Sequence, residues 1–108
     1  MPNTPDYFEA RVVERGPRSV VELAGELDMA TAPQLDACVR SLAEDGAESV
    51  TLDLSQLEFC DSSGVGVFVQ WSKPSPDGSP TLFLKGAQGT VRRVFEVAGL
   101  GHLLDSAS

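Results

Sequence analysis

No stretch of this sequence approaches the roughly 18 consecutive apolar residues that a membrane-crossing helix needs. Positive charge is also scarce: 8 Lys and Arg stand against 16 Asp and Glu, a formal charge of −8. Such a surface repels phosphate backbones and anionic headgroups, so neither nucleic acid nor a membrane is expected as a direct partner. Histidine occurs once, and the two cysteines, Cys38 and Cys60, are far apart, so the sequence holds no metal-ligand spacing. The opening Met1-Pro2-Asn3-Thr4-Pro5-Asp6 has no basic start and no apolar stretch, unlike a secretory signal. A cytoplasmic protein with two reduced thiols is expected, not one held by a disulfide.

What is present suits one ordinary globular domain. The chain has 108 residues, 42% of them hydrophobic and 22% charged. A chain of that length buries roughly 65% of its unfolded surface without help from metal or disulfide. Residues 1–6 read as a flexible tail, 7–105 as the domain and 106–108 as a short polar end.

Hydrophobic spacing supplies the elements. Tyr7 to Glu14 alternates Phe8, Ala10 and Val12 with Glu9 and Arg11, the period of a half-buried strand. After Gly16-Pro17, Ser19 to Glu26 reads as a second strand, antiparallel to the first across so short a link. Thr31 to Asp45 predicts a helix through Ala32, Leu35, Val39 and Leu42, with Thr31 and Gln34 as a capping box and Gly46 as its end. Val50, Leu52 and Leu54 mark a third strand, and Leu57-Glu58-Phe59-Cys60 reads as its passage into a loop. A second helix follows to about Ser72, where Pro74, Pro76 and Pro80 forbid extension. Thr81 to Lys85 is a fourth strand. Thr90 to Ala98 is a last amphipathic helix closed by Gly99. The order ββαβαβα implies an α/β fold: a small mixed sheet with helices packed against it, parallel after the opening hairpin.

One segment could carry chemistry. Asp61-Ser62-Ser63-Gly64 falls where a strand hands over to a helix, and Asp61 suits the N-cap. Backbone amides there favour negative charge, and Gly64 permits close approach, so Ser63 is a plausible phosphate acceptor. A phosphate would add about −1.5 to −2 charge beside the helix start. The plainer reading is a cap and turn, for which Asp, Ser and Gly are the ordinary choices. An enzyme is not expected: Ser63 lacks a G-x-S-x-G context and His102 has no evident orienting acid, which leaves a serine hydrolase as a weak third reading. Cys60, beside Asp61, reads as a small buried hydrophobe. Trp71 is placed in or at the edge of the core. Arg92 and Arg93 could clamp a phosphate, but adjacent helix residues face about 100° apart, so the plainer reading is two solvated positions.

Three further stretches resemble one family. Gly25-Glu26-Leu27-Asp28 with Thr31-Ala32-Pro33-Gln34-Leu35, Asp53-Leu54-Ser55 leading to Asp61-Ser62-Ser63-Gly64-Val65-Gly66, and Val91-Arg92-Arg93-Val94-Phe95 with Gly99-Leu100 resemble the anti-sigma factor antagonists of the STAS domain family, in order and spacing over roughly residues 8 to 104. The resemblance implies a STAS-like single domain without catalytic activity or cofactor. Its unphosphorylated form would bind an anti-sigma factor that is also a serine kinase, and so free the sigma factor. Phosphorylation by that kinase on the residue matching Ser63 would break the complex, and a serine phosphatase would reset it. Asp28, Thr31, Asp61, Ser62, Ser63, Gly64 and Gly66 would form the partner-binding surface, on a chain that is a monomer when free. ATP and Mg²⁺ would belong to the kinase. The alternative is a STAS subunit of a lipid-transport or stress-signalling assembly that is never phosphorylated. Two departures from the family stand out: Lys73 to Pro80 replaces the end of the second helix and its turn, and the chain stops soon after Leu104.

Overall fold

The computed structural model describes residues 7–73 and 79–104. The expected tails, 1–6 and 106–108, lie outside that range, as does most of the proline-rich stretch. Among the described residues the strands are β1 (Phe8–Glu14), β2 (Arg18–Leu27), β3 (Ser49–Cys60) and β4 (Thr81–Lys85). The helices are α1 (Ala32–Glu44), α2 (Ser62–Ser72) and α3 (Gly89–Val97), with a 3-10 turn over Gly101–Leu103.

The sheet runs β1-β2-β3-β4, with β1 antiparallel to β2 and the remaining pairs parallel. This is the mixed sheet that the ββαβαβα order implies. Register aligns the apolar positions across strands: Val21 faces Leu52, which faces Leu84, while Val50 faces Leu82. All five are buried, and Leu35, Val39 and Leu42 of α1 with Phe68 of α2 and Phe95 of α3 complete the core. The rings of Phe68 and Phe95 lie 4.9 Å apart and tilted, joining α2 to α3. The intervening sheet positions, Glu22, Thr51, Asp53 and Lys85, alternate onto the half-exposed opposite side.

Two expectations need correction. The Leu57–Cys60 segment is not a passage into a loop, because β3 continues through it to Cys60. Against β2 the register shifts twice, between Glu22 and Ala24 and between Gly25 and Glu26. Each bulge adds a residue to β3 and reverses which face its side chains meet, so buried positions fall at Leu54, Leu57 and Cys60, three apart. The alternation that marks a strand is thereby erased from the sequence.

The capping box is also absent. Thr31 is the N-cap of α1 but makes no side-chain cap. Its hydroxyl instead donates to the carbonyl of Glu26 at 3.0 Å and accepts from the amide of Asp28 at 2.8 Å. Gln34 does not reach back either, and its Oε1 is buried without a hydrogen bond. Pro33 stands in the first turn as expected.

Candidate functional site

The carboxyl ends of the parallel strands β2 and β3 lie side by side, with Leu27 opposite Cys60. The amide of Asp61 donates to the carbonyl of Leu27 at 3.1 Å, so the two loops leaving these strands begin from one fixed point. One is Asp28 to Thr31 and the other is Asp61 to Gly64. This is the end of an α/β sheet where sites are usually built.

On the β3 side, Asp61 is an N-cap in extended conformation. Its Oδ1 accepts from the amides of Ser63 at 2.9 Å and Gly64 at 3.4 Å. That satisfies donors which the first helical turn leaves unpaired and sets the direction in which α2 starts. Gly64 is needed for a different reason. A Cβ there would lie 2.7 Å from both Cγ and Cδ2 of Leu27 and 2.9 Å from Sγ of Cys60. The first turn of α2 therefore rests directly on the floor formed by the last residues of β2 and β3. Burial, with the Asp61 carboxylate adding to it, pushes the Cys60 thiol up to about 12, so it is an inert packing group.

Ser62, the first helical residue, is exposed, whereas Ser63 is half-buried. Ser62 also lines a groove of about 410 Å³ between α2 and α3, floored by Val65, Val94, Val97 and Ala98, with Arg93 on its rim. Val97 is 80% exposed despite being apolar. Gly66, one turn into α2, is exposed with open space where a side chain would be.

On the β2 side, Asp28 organises its loop. Its Oδ1 accepts from the amides of Ala30 and Thr31, and Oδ2 accepts from the hydroxyl of Tyr7 at 2.8 Å. The Tyr7 bond, helped by those amides against a desolvation penalty, holds the Asp28 carboxyl below its ordinary value. The same bond raises the Tyr7 phenol. Gly25 delivers Tyr7 to this position. It has φ +92, and a Cβ there would overlap the carbonyl of Tyr7, which accepts from the amide of Glu26.

The expected surface thus divides. Ser62, Gly66 and the rim of Asp28 are open, but Thr31 is fully buried and Gly64 is buried under its own helix. Thr31 and Gly64 shape the surface from beneath and are not exposed on it in the free chain. Two exposed apolar residues flank the site instead: Met29, 77% exposed, and Phe59, 44% exposed. Tyr7, Met29 and Phe59 are not among the expected surface residues, and Arg93, read as a solvated helix position, lines the groove beside Ser62. The unusual signal in the sequence was an aromatic at Phe59 in a segment whose period had broken. Tyr7 gave none, since only the strand register brings it to Asp28.

No metal-holding group of His, Cys, Asp and Glu occurs among the described residues, and none of their helices is long and apolar enough to cross a membrane. The architecture is a small α/β module that carries an Asp-capped helix start with an open hydroxyl beside a loop ordered by Asp28. A family model described as "Mlab, STAS domain" matches residues 10–105. The anti-sigma-B factor antagonist of Staphylococcus aureus is 31% identical over 84 residues, 78% of this chain and 78% of that protein. SpoIIAA in its unphosphorylated form superposes with a TM-score of 0.76 at 28% identity, covering 94% of this chain and 88% of that one. The phosphorylated form of the Bacillus cell fate determinant SpoIIAA gives 0.67 at 27% identity, covering 94% and 91%. The chain belongs to the STAS domain family, and the relatives just named include anti-sigma factor antagonists.

Proposed function

We propose that this protein is a partner-switching regulator: its unphosphorylated form binds an anti-sigma factor that is a serine kinase, and a phosphate added in the Asp61–Gly64 turn ends the binding. The observation that carries this reading is the open hydroxyl of Ser62 on a rigidly capped helix start, in a chain 31% identical to an anti-sigma-B factor antagonist. A related protein has been described in both phosphorylated and unphosphorylated forms.

Exposure favours Ser62 as acceptor over Ser63, the residue to which the resemblance points. Phosphoryl transfer requires the serine oxygen to approach the γ-phosphorus of ATP held by the partner. The new O–P bond forms as the bond to ADP breaks, and the hydroxyl proton passes to a base on the kinase. An exposed first-turn hydroxyl meets that demand, whereas a half-buried one requires the turn to open. In the free chain Asp28 and Asp61 already place negative charge near this end of the sheet, and a phosphate adds to it. Crowding of like charge then opposes docking on an acidic partner surface. A serine phosphatase resets the switch. In this reading the protein works in the cytoplasm, as a binding protein without catalysis of its own.

The family model matches the STAS domain as such and not the switch, so a second reading stands beside the first, a STAS subunit of a lipid-transport or stress-signalling assembly that is never phosphorylated. The two are separated by incubating the full chain with an anti-sigma serine kinase and ATP, then measuring intact mass and affinity. The switch predicts one added phosphate, lost in Ser62→Ala and kept in Ser63→Ala, with affinity falling by about a hundredfold, about 3 kcal/mol. Stable binding that ignores ATP would overturn it in favour of the subunit.

A further inference from the structure

Among the described residues, no ion pair explains the place of Arg93. Its neighbour Arg92 pairs with Glu96 one turn on, Nε to Oε2 at 3.3 Å. Arg11, Arg15 and Arg40 likewise each meet a carboxylate. Arg93 forms no ion pair among the described residues, although the chain carries twice as many acidic as basic groups. It is exposed, and it shares the rim of the α2–α3 groove with Ser62. The floor between them is apolar: Val65 on one side, with Val94, Val97 and Ala98 on the other. Ser62 and Arg93 line this one groove of about 410 Å³, and Arg93 is the long cationic side chain on its lining.

We propose that when Ser62 carries a phosphate, Arg93 binds it across this groove, so that the modified chain bridges α2 to α3 over its own apolar surface. The inference rests on the reading of Ser62 as the phosphate acceptor and adds what the phosphate does within the chain. A guanidinium presents a planar fork of donors that matches two phosphate oxygens, and such charge-assisted pairs are among the stronger hydrogen bonds. The other charged groups near the modified residue are repulsive or already engaged. Asp61 precedes it on α2, Asp28 lies in the neighbouring loop, and Glu96 on α3 is taken by Arg92. Arg93 is thus the cation left for the phosphate. Once paired, the two side chains span the mouth of the groove and cover half-buried Val94. Modification then does more than add repulsive charge: it removes an apolar surface beside the acceptor from any partner.

The test places phosphoserine at position 62 during synthesis, so no kinase is needed and failure of the switch reading cannot be confused with failure of this inference. Three full-length proteins are compared: the phosphoserine protein with Arg93 retained, with Arg93→Gln and with Arg93→Lys. Arg93 is exposed and outside the core, so these substitutions leave the fold intact. Phosphorus NMR titration reads the phosphate's second ionisation, ordinarily near 6. With Arg93 its midpoint is expected to lie about half a unit or more below that of Arg93→Gln, with Arg93→Lys between them. Melting of the same proteins beside their unmodified counterparts forms a cycle, in which the phosphate is better tolerated with Arg93 than with Arg93→Gln. Equal midpoints in the Arg93 and Arg93→Gln proteins, or a cycle without coupling, would overturn the proposal.

Discussion

The two ends of α2 are anchored by different means. At the start, the hold is on the backbone: Asp61 caps the amides of Ser63 and Gly64, and Gly64 rests on Leu27 and Cys60 without a side chain between. At the finish, side chains do the holding. The indole of Trp71 donates to Oδ1 of Asp36 at 2.8 Å, and Arg40 binds Oδ2 of the same carboxylate at 2.9 Å. The Arg40 guanidinium also lies over the indole, 5.4 Å from the ring centre. Burial pushes the Asp36 carboxyl up, but the bonds from Arg40 and Trp71 outweigh it and leave the group below its usual value. A backbone anchor fixes direction while leaving the outward side chains free. A side-chain anchor spends those side chains on packing. The end that presents Ser62 uses the first kind, which suits a site that must be rigid and open at once.

If the contrast holds, the largest loss follows from filling the space under the first turn. Gly64→Val would press two methyl groups into Leu27 and Cys60, with an expected cost of about 3 kcal/mol in urea unfolding. It should also displace Ser62 and lower its rate of phosphorylation. A Gly64→Val protein with unchanged stability would show that the start of α2 yields easily, and the contrast would collapse. Next comes the cap itself. Asp61→Ala removes the acceptor for two amides and is expected to cost about 1 kcal/mol. Asp61→Asn, which keeps an oxygen, should recover most of it.

The far end should respond differently. Trp71→Phe keeps a ring but deletes the bond to Asp36, whose other oxygen retains Arg40, for a loss of about 1 kcal/mol. That change should leave phosphorylation of Ser62 unaffected. Cys60 sharpens the comparison because its sulfur lies directly beneath Gly64. A buried thiol with its ionisation pushed up to about 12 reacts with an alkylating reagent only when α2's start lifts away. Trp71→Phe is expected to leave that labelling rate near its original value, and Gly64→Val to raise it strongly.

Much of this architecture is legible in the residues, and the exceptions share a cause. Apolar spacing finds β1, β2, β4 and all three helices, since local periodicity and the core agree there. The length of β3 escapes because bulges break its alternation at Leu54 and Leu57. The cap at Asp61 is legible as a local signal, and Asp61 accepts from the expected amides. Thr31 carries the same kind of signal, yet its hydroxyl is captured by Glu26 and Asp28. Tertiary partners compete with local ones, and the sequence does not reveal which will win. Tyr7 on Asp28 and Trp71 on Asp36 are pairings across 21 and 35 positions, and only the assembled sheet and helices create them, as they do the groove that Ser62 and Arg93 both line.

The smallest expected effect concerns the loop beside α2's start, and acid isolates it. The Tyr7 hydroxyl is the main cause holding the Asp28 carboxyl below 3.8. A carboxyl whose folded ionisation lies lower than its unfolded one stabilises the fold above the unfolded value, and that contribution is lost as pH falls through the folded value. Melting temperature should therefore decline below about pH 4, and Asp36, lowered in the same direction, contributes to the same decline. Tyr7→Phe removes the largest part of the Asp28 share, giving a slightly shallower acid limb and leaving the Asp36 share in place. The opposite limb has the opposite sign. The Tyr7 phenol is raised above 10.0, so its contribution is complete below that value and disappears as pH rises through the raised one. Tyr7 is the single tyrosine, so its ultraviolet difference absorbance reads this ionisation directly. Asp28→Asn should bring the midpoint back toward 10.0. An unchanged midpoint would mean that Tyr7 and Asp28 do not hold one another, and that the loop beside the acceptor is set by Thr31 and its backbone bonds alone.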